Sequence, residues 1–135
     1  MVKMTGIYTG EKHCRTEHEP SHRTLETDAP KDNQGRGESF SPTDLVATAL
    51  GTCILTTLAI VGEKEGLDLK NSKMTVEKEM TPAPRRIASL KTVIDLPAAL
   101  TPEWRQKLET AAHNCPVRRS LHPDVVVPIE FRYNF

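Results

Sequence analysis

SPTDLVATALGTCILTTLAIVG, residues 41 to 62, is the stretch that decides the fold. Ser41, Pro42 and Asp44 form a helix start: a side-chain cap, a proline at the first helical position and an acid three residues after the cap. From Leu45 to Gly62 there is no charge, so the helix is expected to run to about Glu65, where Gly66 ends it. A helix without a polar face is apolar all round and must be covered all round. The apolar run from Leu45 to Val61 has 17 residues, among them Thr48, Thr52, Thr56, Thr57 and Gly51. It falls short of the ~20 residues a bilayer span requires, so a buried helix of a soluble protein is expected, with no membrane.

Outward from this helix the pattern alternates between strands and helices. Residues 29 to 40, APKDNQGRGESF, are rich in turn formers without periodicity and read as a loop. Residues 2 to 28 read as a half-exposed meander of short strands, with turns at Gly10 and at Glu19-Pro20-Ser21. Met74, Val76, Lys78 and Met80 alternate with Thr75, Glu77 and Glu79, and Ile87 to Leu96 follows beyond Pro82 and Pro84, so two paired strands are expected. Thr101-Pro102-Glu103 opens a second helix, whose apolar stripe is Trp104, Leu108, Ala111, Ala112 and Cys115. Ile129, Phe131, Tyr133 and Phe135 alternate as a last strand. The order predicts an α+β fold rather than βαβ winding.

The 135 residues are expected to form one domain, 1–135, near the size at which a second subunit helps cover apolar faces. Lys plus Arg and Asp plus Glu both number 18, and neither sign forms a block, which argues against nucleic acid as a partner. The N-terminal segment MVKMTGIYTGEKH has no apolar stretch of signal-peptide length, and three cysteines cannot all pair within one chain. A cytoplasmic location is expected.

Two of the cysteines have contrasting surroundings. Cys53 lies inside the uncharged helix and is expected to be sheltered from water, whereas Cys115 precedes Pro116 at a helix start, where aligned N–H dipoles lower a thiol pKa. Two structural core thiols would satisfy the same local pattern. No phosphate loop, serine-nucleophile elbow, zincin motif or Cys-x-x-Cys is present, and no cofactor is expected. Cys14, His18 and His22, four residues apart, are the one metal-like spacing, but Pro20 interrupts them and solvated histidines are the simpler account, so no metal site is expected. His113 and His122 are potential bases for a cysteine nucleophile, without a specific spacing to either thiol.

TDAPKDNQGRGESFSPTDLVATALGTC (27–53), PRRI (84–87) and NCPVRRSLHP (114–123), in that order, resemble the OsmC-like family of organic hydroperoxide resistance proteins and osmotically inducible peroxidases. The resemblance covers nearly the whole chain. It implies an intertwined homodimer with long central helices buried back to back and active sites at the subunit interface. It further implies that Cys53 attacks the peroxide and Cys115 resolves the sulfenic acid to a disulfide, in oxidative-stress defence. The local argument ranks the thiols the other way, since burial in apolar surroundings raises a thiol pKa. The family supplies an activating arginine from its N-terminal region, for which Arg15, Arg23 and Arg36 are the candidates.

That arginine pairs in the family with a glutamate directly after the helix-start proline, a position held here by Thr43. Asp44 lies nine residues and about 180° around the helix from Cys53, which fits a cap better than a catalytic partner. The expected activity is thiol-dependent reduction of hydroperoxides, organic ones in view of the apolar setting, with a lipoylated protein or a thioredoxin-type dithiol as reductant. The alternative implied by the missing glutamate is a catalytically weak protein that binds an apolar small molecule at the dimer interface.

Overall fold

A computed structural model describes residues 1–135, which divide by packing into two compact units, Met1–Val46 and Ala47–Phe135. The first holds β1 (Met4–Gly10), β2 (His13–His18) and β3 (Arg23–Asp28), an antiparallel sheet in the order β1-β2-β3. The turn between β1 and β2 uses left-handed backbone at Gly10, Glu11 and Lys12, and that between β2 and β3 uses it at His22. The expected meander is present and very open: Met4 to Thr9 are all exposed.

The loop after β3 is built around one carboxylate. Asp28 is fully buried, and its Oδ2 accepts the backbone N–H groups of Arg36 (3.2 Å) and Glu38 (3.0 Å). The N–H of Glu38 is the main cause that holds this carboxyl below its ordinary range, against the opposing effect of burial. Gly35 cannot be replaced without moving the loop, because a Cβ there would lie 1.6 Å from the carbonyl oxygen of Ala29.

Helix α1 (Pro42–Glu63) starts with the expected capping box. The N–H of Ser41 donates to Asp44 Oδ2 (2.8 Å), and the N–H of Asp44 donates to Ser41 Oγ (3.1 Å). The helix ends two residues earlier than expected, and Gly66, at φ +76°, follows in the turn.

In the second unit α1 is followed by β4 (Lys73–Pro82), β5 (Arg85–Leu96), α2 (Pro102–His113), α3 (Pro116–Ser120) and β6 (Ile129–Tyr133). The β4–β5 pairing is antiparallel as expected. β6, however, runs parallel to β5, so α2 and α3 make one β-α-β crossover inside an α+β fold. Alternation along a strand does not encode its direction, which is why the sequence reading missed this. Thr101 caps α2 by accepting the N–H of Trp104 (3.3 Å).

The core of this unit contains Leu50, Ile54 and Leu58 from α1, Leu90, Ile94 and Leu96 from β5, and Leu108 from α2, all with no exposed surface. Burial of each contributes about 1.5–3 kcal/mol. Gly51 lets α1 lie close to β4, since a Cβ there would sit 2.5 Å from Met74 Sδ. The opposite stripe of α1, Ala49, Thr52, Thr56 and Ile60, is exposed. By length and composition α1 passes as a membrane span, but it is the core helix of a soluble fold, with Ala47, Leu50, Gly51, Ile54, Leu58 and Gly62 as its buried face. A single chain covers only that face of the uncharged helix.

Candidate active site

The second unit brings Cys53 and Cys115 together. Cys53 stands on the flank of α1 between buried Ile54 and exposed Thr52, and is itself half-buried. Cys115 follows the last turn of α2, where its N–H donates to the carbonyl of Ala112 (3.4 Å), and it serves as the N-cap of α3 with Pro116 next in line. Its Sγ accepts the N–H of Arg118 at 3.4 Å. Both thiols are free, and the Cys115 thiol has Cys53 as a hydrogen-bonding neighbour.

The accessibilities depart from the sequence expectation for Cys53. Cys115 is the sheltered thiol, with no exposed surface, while Cys53 is reachable from one side. The predicted activation of Cys115 is overturned as well. Burial pushes its pKa up; the N–H of Arg118 opposes this, and the charge of Cys53 and the hydrogen bond with it add to the rise. A five-residue helix start is present as read, but desolvation outweighs it.

Arg15 and Arg23 are exposed on β2 and β3 of the first unit. Arg36 is held by two carboxylates, Glu11 Oε2 at 2.6 Å and Glu38 Oε1 at 3.3 Å, which raise its pKa. Cys14 sits in β2 opposite Tyr8 and Thr27. The Cys14, His18 and His22 spacing does not form a ligand set: His18 Nδ1 bonds Ser21 Oγ (2.6 Å) and His22 Nδ1 bonds Glu17 Oε1 (2.9 Å). His113 packs edge-on to Phe131, and His122 lies 3.7 Å from Asp124, so neither is bonded to a thiol.

One cluster escaped the sequence reading altogether: His13, Asp28 and Glu38 converge in the first unit. Its only sequence signal is hairpin register, because His13 pairs directly with Asp28 across β2 and β3. A separate cleft of about 350 Å³ in the second unit is lined by Leu55, Leu58, Leu69, Lys70 and Leu96, and contains neither thiol.

The model of the OsmC-like protein family matches residues 35–130. None of the curated proteins matches the sequence. Among solved structures, a Psychrobacter arcticus protein designated an osmotic stress induced and detoxification response protein is 34% identical. The match covers 98% of this chain and 96% of that one, with a TM-score of 0.93. An organic hydroperoxide resistance protein OsmC of Legionella pneumophila is similar in fold at 18% identity, with 98% and 96% coverage and a TM-score of 0.76. The organic hydroperoxide resistance protein OhrB of Bacillus subtilis is similar at 19% identity, 98% coverage of both chains and a TM-score of 0.70.

The burial of Cys115 predicts a pH signature. Because its pKa is raised, it stays protonated where an ordinary thiol, with pKa ~8.5, is already ionised. At pH 7 to 8, iodoacetamide should modify Cys53 before Cys115, and the Cys115 rate should keep climbing roughly tenfold per pH unit beyond ~8.5. Peptide mass mapping checks both; faster modification of Cys115, or a plateau below that pH, would contradict the burial argument.

Proposed function

Since the chain belongs to the OsmC-like family, we propose that it is a two-cysteine reductase of organic hydroperoxides, working as one OsmC-like domain in a homodimer. The observation that carries this reading is the contact between an accessible thiol, Cys53, and a buried one, Cys115. Peroxide reaches Cys53 first. Its thiolate attacks the distal peroxide oxygen, the O–O bond breaks, and the alkoxide leaves and takes a proton to become the alcohol. Cys53 is then a sulfenic acid, and Cys115 attacks its sulfur, forming the disulfide and releasing water.

An external dithiol, such as a lipoylated protein or a thioredoxin-type donor, then returns both thiols and is itself oxidised to a disulfide. Keeping Cys115 protonated suits it to this second role: as a thiol it donates a hydrogen bond to the Cys53 sulfur and does not compete for the peroxide. Arg15, Arg23 and Arg36 are the candidates for the cation that favours the Cys53 thiolate. The cytoplasm, with its reducing dithiols, is the compartment this cycle fits.

A second reading has its own observation. Thr43 stands where the family resemblance places a glutamate, and its Oγ1 lies 3.2 Å from Ser41 Oγ. A weak catalyst that binds an apolar small molecule would need no such acid. Peroxide consumption sustained by a dithiol separates the two readings, since a binding protein would not turn over.

The division of labour predicts different losses. Cys53→Ser should abolish reaction with cumene hydroperoxide, at least a 100-fold loss, whereas Cys115→Ser should react once and stop at the sulfenic acid, trapped by dimedone. The reverse pattern would exchange the roles. The dimer follows from the exposed, uncharged stripe of α1, in which Ile60 is 53% exposed. Ile60→Glu should shift the protein to monomer in sedimentation equilibrium, because an unpaired charge in an apolar interface costs several kcal/mol. A wild-type chain that sediments as a monomer at micromolar concentration would exclude the dimer.

A further inference from the structure

We propose that His13, Asp28 and Glu38 form a binding site for one divalent transition-metal cation, of the Zn²⁺ class, with at least one coordination position left to water. The site is unrelated to the thiol chemistry above, and nothing in the sequence pattern announced it.

The geometry is that of a ligand set. His13 Nε2 lies 3.4 Å from Glu38 Oε2 and 3.7 Å from Asp28 Oδ2, and the three ligand atoms all fall within 4.8 Å of one another. Two ligands bonded to Zn²⁺ at ~2.0–2.2 Å with a tetrahedral angle are about 3.3–3.6 Å apart. The existing spacing therefore requires little rearrangement. Backbone structure sets it, because His13 opens β2, Asp28 closes β3 as its direct cross-strand partner, and Glu38 is brought back by the loop whose N–H groups bind Asp28.

The surrounding groups have the character of an outer shell. Arg36 holds Oε1 of Glu38, leaving Oε2 toward His13, and Glu11 in turn holds Arg36. Asp28 is fully buried, with Oδ2 fixed by two backbone donors and Oδ1 buried without any hydrogen-bond partner. A buried carboxylate oxygen with no donor is costly unless positive charge is supplied.

The charge balance points the same way. Glu11, Asp28 and Glu38 face a single guanidinium, so with His13 neutral two negative charges are uncompensated. A divalent cation neutralises them. One imidazole with two carboxylates favours first-row transition ions over Mg²⁺ and Ca²⁺, which take oxygen alone. Bound there, the ion would clamp the 29–40 loop to the ends of two strands and stabilise the first unit by mass action.

The competing account is a protonated His13 bridging both carboxylates, and the test separates the two. Untagged protein, treated with chelator and kept reduced, is titrated with Co²⁺ at neutral pH and followed by absorption. One ion per chain should bind, with d–d bands but without the near-ultraviolet thiolate charge-transfer band that a cysteine site would show. His13→Ala and Glu38→Gln should each weaken Co²⁺ and Zn²⁺ binding by more than the roughly 10–100-fold typical of an outer-shell change. Cys14→Ser and His18→Ala should leave it unchanged.

Absence of binding, a thiolate band, or binding that survives both His13→Ala and Glu38→Gln overturns the proposal. If the two variants lose their fold, the His13 ring resonances of the wild-type protein decide. A shift with one equivalent of Zn²⁺ supports the site, and unmoved resonances refute it.

Discussion

A 22-residue helix with one charge near its start and one at its end has to be covered, and the rest of the structure follows from how that is done. One face of α1 meets the β4-β5-β6 unit through Leu50, Ile54 and Leu58, and the absence of a side chain at Gly51 allows the close approach. Cys53 is at the edge of this buried face. It is fixed by the helix yet stays open to one side. The crossover through α2 and α3 then sets Cys115 beneath it, in a place that burial keeps protonated. The difference between the two thiols therefore arises from a packing asymmetry: two equal groups, a helix flank and a helix junction, and two different exposures.

The first unit is organised by a different force. Its sheet buries little apolar surface, and its order comes from polar interactions, with Asp28 as the centre. Buried charge is expensive, so this carboxylate takes backbone N–H groups from the loop that follows it, and that loop must contain Gly35 to fit against Ala29. The same anion, with His13 across the ladder and Glu38 on the returning loop, makes the cation site. The lowered pKa of Asp28 has a definite sign: the stabilisation it gives is present above the ordinary carboxylate range and is lost as pH falls through the folded-state value.

What the sequence revealed was local chemistry. The capping box at Ser41 and Asp44, the glycine after α1, the β4–β5 hairpin and the proline starts of α2 and α3 are all governed by neighbours along the chain, and they appear where the residues place them. What it concealed was set by neighbours far away. The direction of β6 depends on a crossover, and the raised pKa of Cys115 comes from burial and, in part, from Cys53 more than sixty residues earlier. The helix-dipole argument for Cys115 used the correct local element and failed because desolvation was the larger effect. His13, Asp28 and Glu38 look like three unrelated polar residues until strand register brings the first two together.

The central claim is that Cys53 and Cys115 act as one redox couple, and the most direct measurement is the thiol balance after a single equivalent of an organic hydroperoxide. Reduced protein should lose two thiols per chain and gain one intramolecular disulfide, and mass mapping should place that bond between Cys53 and Cys115 with Cys14 still free. A bond that includes Cys14, or peroxide treatment that leaves all three thiols intact, would contradict the account.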